Sequence, residues 1–345
     1  MRRRLIVLGV FLFASMPAFA DDSSAALGAG GLVLARSADV RMAAEELKIS
    51  PRDVSATFTF VNDARSDIDT IVAFVLPDID TSRFSEEPLG ATTKDPVNFV
   101  GFEIVENGRK VPFETEQRAF YKGRDVTTVL RGAGVPLNIV DPAFVKTLDA
   151  LAPAKRKLLQ AADLVDAESG EGLHPHWTVR TRFFWQQKFP AGRAIVLEER
   201  YHPVTGQALF GASELRPDSE DGRYYLKNFC IDPSAQRSLA RMIANKIRAD
   251  PRNGGYLTAL TTDYVLSTGN NWKGPIGHFH LVLDKLEPDN VLSLCWDTAL
   301  ARKGPAAFES TRESFAPKGD LKILVLQQAP LAGSAADQCR CPMSM

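Results

Sequence analysis

Apolar and polar residues alternate with a period of two through much of this chain, most clearly from Trp177 to Gly206. Trp177, Val179, Thr181, Phe183 and Trp185 fall on one side of the zigzag, and Thr178, Arg180, Arg182 and Gln186 on the other, which predicts a strand with one buried face. Pro190-Ala191-Gly192 supplies a turn, because Pro fixes one backbone angle and Gly accepts a positive one. Ile195, Leu197 and Tyr201 resume the alternation. The segment reads as two long strands folded back on each other in a hairpin, whose apolar face packs on a second sheet.

The same rhythm recurs upstream. Val54, Ala56, Phe58 and Phe60 alternate with Ser55, Thr57 and Thr59 up to Asn62-Asp63, and Ile68 to Leu76 is apolar on both sides, as for a central strand stopped by Pro77. Asn107-Gly108 joins two strand-like runs and predicts a tight hairpin turn. From Asp125 the period changes. A short run to Gly132, then segments opened by Asp141-Pro142 and by Pro153, are helical in composition, with Asp as cap and Pro at a first position that needs no amide hydrogen. Downstream, Tyr224 to Ile231 reads as a strand. Asp232-Pro233 then starts an amphipathic helix with Leu239, Met242, Ile243 and Ile247 on one stripe. Further strands are expected at Tyr256 to Leu266, Ile276 to Asp284, Val291 to Trp296 and Leu321 to Leu326.

The expected fold is therefore mainly β: two antiparallel β-sandwich-like domains joined by a short helical segment, with one amphipathic helix in the second. Its divisions are a signal peptide at 1–20, an N-terminal sandwich at 21–124, a helical connector at 125–172, a C-terminal sandwich at 173–328 with a helix at 232–250, and a tail at 329–345.

The signal peptide rests on Arg2 to Arg4, the apolar run Leu5 to Ala14, and Ala18-Phe19-Ala20 before Asp21, with cleavage between Ala20 and Asp21. Its removal takes three arginines from a chain of formal net charge −1, leaving −4. A mildly acidic chain with no basic run is a poor partner for nucleic acid, and no membrane span is expected after cleavage. Four cysteines would enter an oxidising compartment, the periplasm, and allow three connectivities. Cys230 with Cys295 is favoured, since both lie in strand-like runs and Cys339 and Cys341 lie in a polar tail.

Candidate chemistry is sparse. The long loop after Pro77 carries Asp78, Asp80, Glu86, Glu87 and Asp95 and is a candidate binding loop, though without the rhythm of a calcium site. Lys122 and Arg124 precede a helix start where an anion could sit, against the plainer reading of an Asp125-capped helix. His278 and His280 project from one face of a strand, opposite Phe279, Leu281 and Leu283, and read as surface residues; His174 and His176 would have to join them to make a metal site. Gly28, Gly30 and Gly31 precede a strand and do not link one to a helix, so no phosphate cradle follows. No nucleophile motif is present. Catalytic, cofactor and metal residues are thus expected to be none.

Taken in order, the phrases LPDID (76–80), FSEEP (84–88), DPVNFVGF (95–102), GRDVT (123–127), FPAG (189–192), STGNNWKGPIGHF (267–279) and FAPKGDL (315–321) resemble a bacterial exported family, domain of unknown function family 4424. The resemblance implies an envelope protein of unassigned activity and brings no catalytic residues. A shorter likeness, Phe58-x-Phe60-x-Asn62 followed by Ala73 to Pro77, is to the β-sandwich modules of vault and inter-α-trypsin-inhibitor proteins, which serve protein contacts. The expected function is a non-catalytic binding or envelope-assembly module, taking an envelope protein or a small ligand as partner. The alternative is a periplasmic hydrolase or metal-dependent enzyme using the acidic loop or the paired histidines.

Overall fold

The computed structural model describes residues 23–28, 31–83, 93, 95–168, 172–249, 251 and 255–328. The chain opens with β1 (Ser23–Gly28), β2 (Gly31–Ala35), β3 (Val40–Ile49), β4 (Val54–Asn62), β5 (Ile68–Val75), β6 (Ile79–Asp80), β7 (Glu103–Glu106), β8 (Arg109–Lys110), β9 (Glu114–Tyr121) and β10 (Arg124–Asp125). Three helices follow, α1 (Thr127–Ala133), α2 (Phe144–Asp149) and α3 (Pro153–Ala161). Then come β11 (Val165–Glu168), β12 (Gly172–Pro175), β13 (Thr178–Phe189), β14 (Ala194–Tyr201) and β15 (Gly206–Phe210). The remainder holds α4 (Glu220–Asn228), α5 (Pro233–Ala249), β16 (Leu257–Tyr264), β17 (Ile276–Asp284), β18 (Val291–Leu294), β19 (Ala301–Arg302), β20 (Ala307–Phe315) and β21 (Leu321–Gln327). The expectation of a mainly β fold holds.

Three sheets carry the architecture. Sheet I runs β10-β9-β13-β5-β1-β2, sheet II runs β19-β20-β17-β3-β4-β14-β7-β8, and sheet III runs β15-β16-β21-β18. Sheets I and II pack face to face. Phe183 and Phe74, cross-strand neighbours in sheet I, both stack on Phe102, with centroids at 4.6 and 5.0 Å. Sheet III is apolar on both sides. Leu260, Tyr264, Ile323 and Val325 join the main core, while Leu257, Ala259, Leu324 and Leu326 bury against α4 and α5 through Tyr225, Phe229, Leu239 and Ile243.

The segment at 177–206 does not form the expected hairpin. β13 pairs with β5 and β9 in sheet I, whereas β14 pairs with β4 and β7 in sheet II. The turn at Pro190 to Arg193 is an arch that carries the chain from one sheet to the other. Alternation correctly assigns the inward residues, since Trp177, Val179, Thr181, Phe183 and Trp185 are all buried. In an arch the two apolar faces meet across the core, so the alternation is satisfied without pairing the strands.

This arch also revises the division at 125–172. Strands from both sides of that segment share sheets I and II, and β3 pairs in parallel with β17, more than 230 positions later. The helical segment is consequently not a connector between separately paired sandwiches. It packs on the main core through Leu130, Phe144 and Leu159, and the Trp177 indole donates to the Leu137 carbonyl at 2.8 Å. At its C-terminal end β11 and β12 pair with each other.

The stretch read as a strand at Tyr224 to Ile231 lies mostly in α4. Ser219 caps this helix by accepting from the Gly222 amide, with Glu220 and Asp221 in the first turn at the positive end of the helix dipole. Other local signals hold. Asn107 and Gly108 adopt φ of 48° and 78° between β7 and β8, and Asp232 accepts from Ser234 and Ala235 at the start of α5.

Candidate functional site

Sheet I is interrupted between β5 and β6. Val75 pairs with Arg182 and Ile79 with Val179, so three steps along β13 are matched by four along the opposing chain. The extra residue sits at Leu76-Pro77-Asp78, where Pro77 offers no amide to the ladder; such a bulge re-aims neighbouring side chains. Thr81 anchors the far side of the bulge by donating its hydroxyl to the Trp177 carbonyl at 2.6 Å.

Beside the bulge lies a cavity of about 150 Å³ where the three sheets meet. Leu76 to Asp80 bound it from sheet I, Tyr201 from the end of β14, Gly206, Thr261 and Asp263 from sheet III, and Tyr224 from α4. Phe99 and Val100 close another wall. The connector from β14 to β15 is held by buried Thr205, which donates to the Pro51 carbonyl at 2.7 Å and lies 3.2 Å from the Thr262 hydroxyl. Apolar walls with a few convergent polar groups are the usual make-up of small-molecule sites.

Two of the nominated acidic residues, Asp78 and Asp80, border this cavity. Asp78 receives a hydrogen bond from Arg180 Nε at 3.0 Å, and the Arg180 guanidinium lies 4.3 Å from the Phe120 ring centroid. Burial pushes the Asp78 carboxyl above its ordinary value, and the attraction of Arg180 only partly offsets this. Asp80 accepts from the amide and hydroxyl of Ser82 at 3.0 and 2.7 Å. Asp95 stands outside the cavity, accepting from the Val97 amide. Glu86 and Glu87 lie outside the described residues, as do Ala20, Asp21, Cys339 and Cys341.

Lys122 and Arg124 do not line the cavity. Lys122 sits in the tight turn between β9 and β10 and pairs with Asp163 at 2.8 Å, which raises its ammonium to about 12. Asp125 accepts from the Thr127 amide at 2.9 Å and forms an ion pair with Arg118. The N-cap position of α1 is nonetheless Val126, which makes no side-chain cap bond, so Asp125 supports the helix entry from one residue earlier than an N-cap would.

The two histidine pairs stand apart. His278 and His280 occupy the outer face of sheet II, with Nδ1 of each 2.6 Å from Glu313 and Glu46 respectively, and His280 Nε2 is 3.1 Å from Glu309. His174 lies in β12, and His176 Nε2 is 3.3 Å from Asp166. Among the described residues, no group of three or more His, Cys, Asp or Glu is placed to hold a metal ion.

A wider groove of about 770 Å³ lies beyond Tyr201, bordered by Lys48, Arg52 and Arg200 on one hand and Asp53, Glu103 and Asp284 on the other. Charges of both signs alternate there, and His202 is 3.0 Å from Asp53. Val54, Tyr201 and Leu286 supply its apolar surface.

The disulfide joins Cys230 to Cys295. Neither cysteine lies within a strand: Cys230 follows α4 with φ of 50°, and Cys295 follows β18, so the bond staples the helical layer to the edge of sheet III. No described helix is long and apolar enough to cross a membrane.

These features define a mainly β protein with a small cavity at the junction of three sheets. The chain belongs to the family described as Domain of unknown function (DUF4424), which it matches over residues 20–324. It is also similar to a crystal structure from Legionella pneumophila described as "a putative nutrient binding protein", at 13% identity and a TM-score of 0.46, covering 89% of this chain and 70% of that one. No curated protein matches it.

Proposed function

We propose that this protein is a non-catalytic binding module that holds a small ligand in the cavity between Asp78, Tyr201, Tyr224 and Thr261. The observation that carries this reading is the cavity itself, whose walls come from three sheets and a helix and are fixed by buried hydroxyl bonds at Thr81 and Thr205. A scaffold of this kind is preorganised, so little ordering free energy is lost when a ligand enters. We further propose export to the periplasm, which the disulfide supports. Native mass spectrometry of protein isolated from its own host tests the binding reading. A retained small mass, absent from a Val204→Trp variant that fills the connector wall, is the expected result; a bare mass for the wild type under gentle conditions would sink it.

The hydrolase alternative draws on the same corner, where a carboxyl raised by burial lies near two further acids. The histidines lend it nothing, since they face away on sheet II or lie in β12 and its flank. Turnover of any ester, amide or glycoside by the pure protein that vanishes in Asp78→Asn would favour it over binding alone.

A further inference from the structure

We propose that the three-sheet cavity selects a small organic cation, an ammonium-bearing molecule about the size of benzene; this deepens the binding reading above and rests on it. Volume sets the size. About 150 Å³ is the space that accommodates a benzene-sized guest in an apolar protein cavity. Side-chain chemistry sets the sign. Among the described residues the lining carries three carboxylates, on the exposed residues Asp78, Asp80 and Asp263, and no Lys, Arg or His. In a cleft with low-dielectric walls, charges of one sign focus the field on whatever enters.

Aromatic walls set the kind of cation. Phe99, Tyr201 and Tyr224 border the same space, and ring faces attract alkylammonium groups through their quadrupoles, as in aromatic cages for quaternary ammonium. A hard metal ion is the worse fit. Calcium takes six to eight oxygens, whereas much of this lining is Leu76, Ile79, Val100 and Val204. Arg180 does not reverse the sign of the site, because it borders Asp78 without lining the cavity and is held against Phe120. The upward push on the Asp78 carboxyl fits this picture: its side chain keeps 35% of its exposure, its partial loss of hydration is offset only in part by Arg180, and an incoming ammonium would offset more.

Isothermal titration of the full chain with choline, with its uncharged isostere 3,3-dimethylbutan-1-ol, and with butyrate tests the inference. Choline is expected to bind, the isostere about tenfold or more weakly, and butyrate not at all. Asp80→Asn is expected to weaken choline binding, and Val204→Trp to abolish it. Should Val204→Trp fail to fold, Thr261→Leu enlarges a second lining side chain, on β16. Equal binding of choline and its isostere overturns the cation preference while leaving the binding module intact. Binding of butyrate alone, or of no probe at millimolar concentration, overturns the inference outright; the mass measurement above then decides separately whether any ligand is held.

Discussion

The buried carboxamide of Asn62 donates to the Phe189 carbonyl at 2.8 Å, joining the end of β4 in sheet II to the end of β13 in sheet I across 127 positions. The same nitrogen donates to Ser66 at 2.9 Å, and its oxygen accepts from Ala64 at 2.8 Å. The Asn62 carbonyl accepts from Gly192 within the arch. Asn62→Ala removes the three side-chain bonds, of which the one to Phe189 is buried, and keeps the backbone one; a buried group left without a partner costs roughly 1–3 kcal/mol. A loss of about 3 kcal/mol is expected, read as a lower urea midpoint at unchanged slope. A midpoint within error of wild type would show that the brace is dispensable.

Gly277 faces the bulge in β3. A Cβ there would lie 2.4 Å from the Ala43 carbonyl oxygen, where the β3–β4 register slips between Met42 and Ala44. Backbone cannot retreat from such a contact cheaply. Gly277→Ala is expected to cost about 2 kcal/mol or more and to speed amide exchange along β3 and β17; hydrogen exchange reads both.

Cys230 and Cys295 close a loop with a sequence separation of 65. In the chain-entropy account, losing that closure costs about 4 kcal/mol. The double Cys→Ala variant is expected to fall in stability by up to that amount, and α4 and α5 to exchange faster than sheets I and II. A uniform rise in exchange across all layers would contradict this local role.

Asp78 runs against the other shifted aspartates in its pH dependence. Its carboxyl is raised from an ordinary 3.8 by burial, so just above that value the folded protein holds a proton that the unfolded chain has released, and stability falls as pH climbs through the window. Asp63, Asp67 and Asp163 are lowered by hydrogen bonds from Lys273, Lys188 and Lys122, so their contributions are present above the ordinary range and are lost as pH falls. Asp78→Asn removes only the first effect. Its stability relative to wild type is expected to rise with pH across the carboxylate range; a flat difference in paired urea titrations would refute the assignment.

Much of this architecture was legible in the sequence. The inward residues of β4 and β13, the Asn107-Gly108 turn and the Asp232 cap all follow from local chemistry. Strand partners do not. The alternation on either side of Pro190 suits a hairpin or an arch equally, and what favours the arch lies far away, at Asn62 and at Asp67, whose carboxylate accepts from the Ala191 amide. Helix α4 was obscured because Tyr224, Tyr225 and Phe229 favour strands by composition, while the Ser219 cap that wins is one residue. The cavity was half visible: Asp78 and Asp80 stood out as loop acids. Tyr201, Tyr224 and Asp263 reach it only through the topology.

Sharing strands between distant parts of the chain also constrains the order in which the molecule can assemble. A chain made from its N-terminus completes β3 and β4 early, yet β14 must arrive before β4 gains its second neighbour, and β17 before β3 does. Until then two strand edges keep their backbone amides and carbonyls unpaired, and contacts of such sequence separation are slow to close. The nascent protein therefore passes a long interval as a sheet without its flanks, when a holding chaperone matters most, and a truncation before residue 276 is expected to yield aggregate in place of a smaller folded unit.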